Sequence, residues 1–168
     1  MPKIERIKKR HLLKKREQRD EIAKIEKELG SSINGLDAKS HLEEGLLDDG
    51  SRILLLDGEI IFFQHEGRMF PALRALLNGL IDVPRITVDM GAVRFVVNGA
   101  DIMRPGITAV DDRVKKDGIV VIVDETHGKP LAVGVSKMSA EELRAATSGK
   151  VIKSIHHIND DLWVFGKV

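Results

Sequence analysis

The sequence predicts an α+β fold in two parts, with an α+β unit over residues 1–83 and a mostly-β unit over residues 84–168. Helical periodicity and one hairpin occupy the first part, whereas short runs rich in Val and Ile follow one another in the second. A chain of 168 residues with 42% hydrophobic residues can supply a core to each of two small domains. The boundary is expected at residues 82–84, where Pro84 stops the preceding helix.

The first part begins with a strand and a long helix. Residues 3–13 alternate loosely between polar and apolar side chains, which favours a strand. From residue 14 the apolar positions recur at helical spacing, and a glycine follows as a stop: Ile22, Ile25, Leu29 and Gly30. Residues 31–47 mix glycine, polar and short apolar stretches, which predicts a loop with one short helix around residues 38–42.

A hairpin and a second helix follow. Asp57-Gly58 separates two β-rich runs, and this dipeptide tolerates the positive φ angles that a two-residue type I′ turn requires. Pro71 is then expected in the first turn of a helix that ends at Asn78-Gly79. The predicted buried stripe of this helix consists of Leu73, Leu76, Leu77 and Leu80.

The second part contains six short runs that predict strands, and their close spacing is typical of a small barrel or sandwich. The six runs are residues 86–89, 93–97, 119–124, 131–136, 151–156 and 162–165. Two short helical pieces are expected between them. One lies near residues 99–103, and the other begins at Ser139, which forms a capping box with Glu142.

The composition excludes several classes of function. The chain has no cysteine, so disulfides, thiolate metal sites and a cysteine nucleophile are excluded. The longest aliphatic run, residues 119–123, is too short to span a membrane, and the first thirty residues do not resemble a signal peptide. No phosphate loop, zinc-protease helix or nucleophile elbow is present. We therefore expect a cytoplasmic protein that is not an enzyme and has no cofactor and no membrane partner.

The adjacent histidines His156 and His157 suggest a metal site, but neighbouring residues on a strand point to opposite faces. One imidazole is therefore expected inside and the other at the surface, with no metal bound. Trp163, the only tryptophan, is expected to anchor the core and close the barrel, and base stacking is the alternative.

The net charge of +1 conceals an uneven distribution, with +5 over residues 1–29 and −5 over residues 30–84. A basic segment on a nearly neutral body favours a polyanionic partner, although it is also typical of a solvated helix. The acidic stretch is a candidate docking face for a protein, which would make the chain a scaffold. The candidate auxiliary contacts to such a polyanion in the basic segment are Lys8, Lys9, Arg10, Lys14 and Lys15.

Residues 88–107 read VDMGAVRFVVNGADIMRPGI, with Gly-Ala-Asp at 99–101 and Pro-Gly-Ile at 105–107. This block resembles the PUA domain, a small RNA-binding pseudobarrel. Four further blocks extend the resemblance over nearly the whole chain: residues 58–63, 70–74, 137–141 and 155–163. Together they resemble an archaeal counterpart of the malignant-T-cell-amplified-sequence proteins, which join a pre-PUA domain to a PUA domain and are related to the N-terminal half of ligatin.

The resemblance implies a non-enzymatic translation factor that binds the small ribosomal subunit and acts in initiation, re-initiation or recycling. It also implies a partner with an SUI1-type domain. The bound RNA would be small-subunit rRNA, the acceptor end of tRNA, or both. The alternative function is an RNA-recognition subunit of a tRNA- or rRNA-modifying enzyme, in which a separate chain carries the catalytic site.

The candidate RNA face centres on residues 94–104. Gly99 would let a phosphate or ribose approach the backbone, or it would serve tight packing. Arg94 and Arg104 would bind phosphate, or they would pair with nearby aspartates and serve structure alone. Pro105-Gly106 is expected to form a turn. The complete candidate set is Arg94, Asn98, Gly99, Ala100, Asp101, Arg104, Lys137 and Lys150.

Overall fold

The computed structural model describes residues 4, 6–36 and 39–165. The chain divides into two compact units, one formed by Met1–Asp82 with Asp161–Val168 and the other by Val83–Asp160. The overall class is α+β, with helix and strands in the first unit and mostly strands in the second. The predicted fold class is therefore confirmed.

The first unit is built on a five-stranded antiparallel sheet in which every strand pairs with its neighbours in sequence. The predicted hairpin is confirmed, because β3 and β4 are joined by Asp57 and Gly58 with φ angles of +50° and +84°. The strands are β1 (Lys9–Leu12), β2 (Leu42–Leu46), β3 (Arg52–Leu56), β4 (Glu59–His65) and β5 (Arg68–Pro71).

Among its described residues, the first unit has three helices: α1 (Lys15–Leu29), α2 (Leu73–Leu77) and α5 (Asp161–Phe165). The long helix α1 is the predicted one, and Gly30 ends it with φ +68° and an amide that donates to Glu26. Its fully buried residue, Ile25, belongs to a core cluster that also contains Leu54 and Phe62 from the sheet. Ile22, Ile25 and Leu29 form the apolar stripe that packs α1 against this core, and most of the other side chains of the helix are charged.

Three predictions for the first unit are wrong. Part of the expected helix at residues 38–42 lies outside the described residues, and Leu42 begins strand β2 instead. Pro71 does not open a helix; it ends the edge strand β5, and α2 begins two residues later. Proline is tolerated there because an edge strand can do without one backbone donor. Leu77, expected in the buried stripe, is exposed.

Residues 162–165 were predicted as a strand of the second part, but they form helix α5, which belongs to the first unit. Trp163 therefore does not close the barrel. The Arg74 guanidinium lies 4.4 Å from the centre of the indole ring, and Nη2 of Arg74 donates to the Trp163 carbonyl over 3.2 Å. The cation above the ring and the bond to the backbone explain why this helix stays with the first unit.

The second unit contains a six-stranded sheet in the order β7-β11-β10-β9-β6-β8, in which only the β6–β9 pair is parallel. Its core is aliphatic and includes Ile86, Val120 and Ile152, all fully buried. The strands are β6 (Arg85–Val88), β7 (Ile102–Met103), β8 (Ile107–Val110), β9 (Ile119–Asp124), β10 (Pro130–Ser136) and β11 (Lys150–His157). Helix α4 (Ala140–Ala145) begins with the predicted Ser139–Glu142 capping box.

Two further predictions fail between β6 and β8. The run at residues 93–97 is not a strand, since helix α3 spans Met90–Val96. The expected helical piece near residues 99–103 is a turn followed by the two-residue strand β7 and a 3₁₀ turn over Arg104–Gly106. Burial of Val96 outweighs the strand preference of the valines in this segment.

Candidate nucleic-acid interface

Asp89 separates strand β6, which ends at Val88, from helix α3, which begins at Met90. The Asp89 carboxylate accepts the Ala92 amide over 2.8 Å, which caps the helix, and the Met90 amide donates to Glu125 over 3.1 Å. The helix buries Val96 and leaves Met90 and Phe95 exposed, at 47% and 54%. The capping contact therefore fixes a helix that presents two large apolar side chains to solvent.

The turn after α3 is held against strand β11. Gly99 has φ +88°, and a β-carbon placed on it would lie 2.8 Å from Nε2 of the half-buried His157. Two residues later, Oδ1 of Asp101 accepts the Ser154 amide over 2.9 Å. The packing role considered for Gly99 is thus visible in the structure, because both its backbone conformation and its contact with His157 require a residue without a side chain.

Helix α3, strand β7 and strand β11 enclose a pocket of about 520 Å³. Its walls are mainly apolar and include Ala92, Phe95, Val96, Ala100, Ile102 and Met103. Two charged residues, Asp101 and Lys150, complete the lining. A mostly apolar pocket of this size with few polar groups is the usual form of a small-ligand site.

Arg94 lies next to this pocket. Its guanidinium stands 4.7 Å from the centre of the Phe95 ring, and the side chain is exposed. The expected alternative, an ion pair with Asp89 or Asp101, does not form within the described chain. Asn98 instead donates its side-chain amide to the Arg94 carbonyl over 2.8 Å, which extends the end of the helix.

Arg104 is directed into the protein. Its Nε donates to the Leu143 carbonyl over 2.6 Å, and its Nη1 donates to the Ile107 carbonyl over 3.2 Å. Arg144 acts in the same way on the other end of β8, since its Nη2 donates to the Val110 carbonyl over 2.7 Å. Both arginines therefore donate to a backbone oxygen of the edge strand β8, and among the described residues Arg104 does not form the ion pair with Asp89 or Asp101 that was considered for it.

Three exposed lysines lie on or beside strand β11. Lys150 begins the strand opposite Met103 of β7, and Lys153 pairs in register with Val135 of β10. The Lys137 amide donates to the Val151 carbonyl over 2.9 Å, which places this lysine beside the same strand. None of the three forms an ion pair within the described part of the chain. Their ammonium groups are available to a polyanion.

Both halves of the chain match known protein domains. Residues 84–158 match the PUA domain, and residues 9–78 match a domain of unknown function, DUF1947. An uncharacterised protein of Methanocaldococcus jannaschii is 38% identical over 95% of this chain and 98% of its own length. Translation machinery-associated protein 20 of Schizosaccharomyces pombe is 35% identical over 74% of this chain and 72% of its own. The chain belongs to this family of PUA-domain proteins.

Malignant T-cell-amplified sequence 1 of Rattus norvegicus is a further relative, with 43% identity over 66% of this chain and 63% of its own length. Among solved structures, a hypothetical protein of Pyrococcus horikoshii matches with a TM-score of 0.77 and 29% identity, over 94% of this chain and 99% of its own. A PUA domain from Aeropyrum pernix matches with a TM-score of 0.80 at 24% identity, over 95% and 91% of the two chains, which supports the fold alone. The predicted family is confirmed.

The basic segment lies in the first unit, outside the PUA domain. Lys8, Lys9, Lys14 and Lys15 are exposed, whereas Arg10 makes a bidentate contact with Glu43 over 2.6 and 3.0 Å. The hydrogen bond from Arg10 holds the pKa of Glu43 below its ordinary value. All five candidate cations are therefore exposed to solvent, and the Arg10 guanidinium is in addition bound to Glu43 of the neighbouring strand β2.

The acidic stretch of the first unit is partly neutralised from within. Glu43 is bound by Arg10, and Arg52 lies between Glu21 and Glu44, at 2.9 and 2.5 Å. The same pattern occurs in the PUA domain, where Asp111 accepts from Arg113 and Asp112 pairs with Arg144. The hydrogen bond from Arg113 holds the pKa of Asp111 well below its ordinary range. These carboxylates bind arginines of their own chain, which weakens the interpretation of the acidic stretch as a docking face.

The two adjacent histidines occupy different environments, as predicted. His156 is 1% exposed, and its Nδ1 lies 2.8 Å from Oδ2 of Asp160, whereas His157 is half-buried beside Gly99. Within residues 4, 6–36 and 39–165, no group of three His, Cys, Asp or Glu side chains is placed to hold a metal ion. No helix in the same residues is long and apolar enough to cross a membrane.

The sequence analysis did not select Phe95 and Met103, the large apolar side chains of the pocket. It interpreted residues 93–97 as a strand, and the low aromatic content of 4% gave little reason to single out one phenylalanine. Aspartate is one of the residue types preferred at a helix N-cap, and Asp89 stands directly before the segment that forms α3. Recognition of that pattern would have placed Phe95 on the outer face of a helix.

Proposed function

We propose that this protein is an RNA-binding factor of translation that receives an unpaired nucleotide in the pocket between α3, β7 and β11. The observation that carries the proposal is the apolar pocket of about 520 Å³ with the exposed Phe95 in its wall and the unpaired Lys150 beside it. A flat base can stack on an aromatic ring in such a site, and an ammonium group attracts the phosphate.

The surrounding cations extend this site along the surface. Three lysines lie on or beside strand β11, namely Lys137, Lys150 and Lys153. The Arg94 guanidinium lies over the Phe95 ring. An RNA strand that places one base in the pocket would pass its neighbouring phosphates over these groups. Because each neutralised phosphate releases counterions, the affinity is expected to fall steeply with salt.

The place in translation rests on family membership. The named relatives are translation machinery-associated proteins and malignant T-cell-amplified sequence proteins. We propose that the bound RNA is small-subunit rRNA, the acceptor end of tRNA, or both, during initiation, re-initiation or recycling in the cytoplasm. A protein with an SUI1-type domain is the proposed partner, and the chain itself performs no catalysis.

The pocket is tested by RNA affinity measured with fluorescence anisotropy on tRNA and on small-subunit rRNA fragments. Phe95→Ala is expected to weaken binding by about 5- to 150-fold, the range for loss of one base–aromatic stack. Leu77→Ala is the matched control, because Leu77 is also an exposed apolar residue but lies in the first unit. Equal affinities for the two variants and the parent would contradict the proposed pocket.

The role in translation is tested by sedimentation of the protein with ribosomal subunits from its own source. Co-migration with the small subunit supports the proposal. Co-purification with a catalytic chain, and no association with ribosomal subunits, would favour the alternative of a recognition subunit of an RNA-modifying enzyme.

A further inference from the structure

We propose that Asp101 makes the pocket selective for a nucleobase that carries an exocyclic amino group, so that adenine, cytosine and guanine bind and uracil is disfavoured. This inference rests on the proposed function, since it names which base enters the site. Asp101 is a charged residue in a mainly apolar pocket. Stacking of a base on Phe95 does not by itself need a carboxylate there.

The Asp101 carboxylate is fixed at one oxygen and open at the other. Oδ1 accepts the Ser154 amide over 2.9 Å, which orients the carboxyl group relative to strand β11. Oδ2 takes part in no hydrogen bond or ion pair with the described residues. Asp101 is half-buried and lines the pocket. An oriented oxygen with unused lone pairs can accept a hydrogen bond from a ligand that displaces water from the pocket.

The two charged residues of the lining lie at different ends of the site. Asp101 is bonded at Ser154, and Lys150 is four residues away along β11, a distance of about 13 Å in an extended strand. They form no ion pair with each other. A nucleotide has the matching polarity, with N–H donors on the edge of its base and a negative phosphate at its opposite end.

The four bases differ in the groups that they can present to the Asp101 carboxylate. An amino group on adenine, cytosine or guanine donates to a carboxylate oxygen, as carboxylate side chains do with cytosine in nucleic-acid recognition. Uracil presents two carbonyl oxygens around its single N–H donor, and each would face the carboxylate with like charge. Because most of the other lining is apolar, uracil would displace water from the carboxylate without replacing its hydrogen bond.

Asp101→Asn separates this role from a purely structural one. The asparagine retains an oxygen that can accept the Ser154 amide, so the turn after α3 stays in place. Its second atom becomes an amide donor instead of an acceptor. The preference should therefore shift towards uracil, whereas a residue that only fixes the turn would leave the order of the bases unchanged. Glu141→Gln is the matched control, because it removes an exposed negative charge of the same domain outside the pocket.

The experiment uses uridine hexamers in which one residue is replaced by adenosine, cytidine, guanosine, inosine or purine riboside. A short strand can slide, so a preferred base can reach the pocket from any position. For the parent protein and Glu141→Gln, we expect A, C and G hexamers to bind about 5- to 150-fold more tightly than the unsubstituted hexamer. Inosine and purine riboside, which lack the amino group, should lose that gain, and Asp101→Asn should reverse the order.

The outcomes distinguish the two proposals. If the parent binds every hexamer equally, or if inosine and purine riboside bind as well as guanosine and adenosine, the selectivity is wrong and the RNA site stands. If the parent binds neither the hexamers nor tRNA or rRNA, the proposed function is itself wrong. The two base analogues are tested on the parent protein, so the result does not depend on the folding of Asp101→Asn.

Discussion

Gly99 and His157 lie so close together that a β-carbon on Gly99 would stand 2.8 Å from Nε2 of the imidazole. This contact joins the turn after helix α3 to strand β11, which form two walls of the pocket. Gly99 also has φ +88°, a backbone conformation that L-residues with side chains rarely adopt. The shape of the pocket therefore depends on a residue that does not line it.

Gly99→Ala is expected to lower the free energy of unfolding by about 1–3 kcal/mol, because the alanine is strained at this φ and its methyl group meets the His157 ring. His157→Ala in the same chain should recover the steric part of the loss and leave the backbone strain. Chemical denaturation of the two single variants and the double variant gives the coupling between the residues. A Gly99→Ala variant as stable as the parent would contradict this account.

Arg104 and Arg94 are expected to respond in opposite ways to replacement by alanine. Arg104→Ala removes donors to the Leu143 and Ile107 carbonyls and should reduce stability by about 1–3 kcal/mol, with little change in RNA affinity per folded molecule. Arg94→Ala should leave stability almost unchanged and weaken RNA binding, since its guanidinium is exposed beside the pocket. Thermal unfolding and anisotropy titrations on both variants test the assignment, and equal effects in both assays would contradict it.

The four exposed lysines of the basic segment, Lys8, Lys9, Lys14 and Lys15, offer a separate test of the RNA interface. Neutralisation of any three should reduce the slope of log affinity against log salt by about one unit per lost phosphate contact. The order of affinities among different RNAs should not change, because contacts to phosphate carry no base information. If the variant has the same salt slope as the parent, the basic segment makes no phosphate contacts in the RNA interface.

Asp111 should make the stability of the PUA domain depend on acid pH. Arg113 holds the pKa of the folded carboxyl below its ordinary value, so the folded state favours the charged form. This contribution is complete above the unfolded pKa, near 4, and is lost as the pH falls through lower values. Denaturation at pH 7 and pH 3 should therefore show a smaller difference for Asp111→Asn than for the parent. An unchanged difference would show that the pair contributes nothing.

The first unit should be weakened by changes at Trp163, although this residue follows the PUA domain in sequence. Trp163→Ala removes the ring that lies under Arg74 and should cost about 1–3 kcal/mol, whereas Trp163→Phe retains an aromatic face and should cost less. Differential scanning calorimetry can assign the loss to one unit if the two unfold separately. Equal losses in both variants would contradict a contribution from the stacked ring.

Local patterns predicted the parts of the fold that depend on adjacent residues. The Asp57-Gly58 turn and the Ser139–Glu142 capping box both formed, because their geometry is set within four residues. The prediction of a strand at residues 162–165 was wrong for the opposite reason, because that helix is bound by Arg74, which lies in a distant segment. The prediction of a strand at residues 93–97 was wrong for another reason: the strand preference of its valines was weighed above the local Asp89 cap.

The site was predictable only in part. Ala100, Asp101 and Lys150 were among the candidates and meet in one pocket, although Lys150 is nearly fifty residues away in sequence. The partners of Arg104 could not be predicted, because an arginine beside a Pro-Gly turn has the same sequence pattern whether it faces phosphate or a carbonyl of helix α4. Which residues bind RNA remains a prediction that the variants above can test.

The arginines that donate to strand β8, Arg104 and Arg144, have a consequence for contacts between copies of this protein. An exposed edge strand can recruit a strand from a second copy and start aggregation. On β8 the Ile107 and Val110 carbonyls already accept hydrogen bonds from Arg104 and Arg144, and the opposite edge of the sheet, β7, is only two residues long. With a net charge of +1, like-charge repulsion between copies is weak, so in this sheet the two guanidinium groups and the short strand limit edge-to-edge pairing.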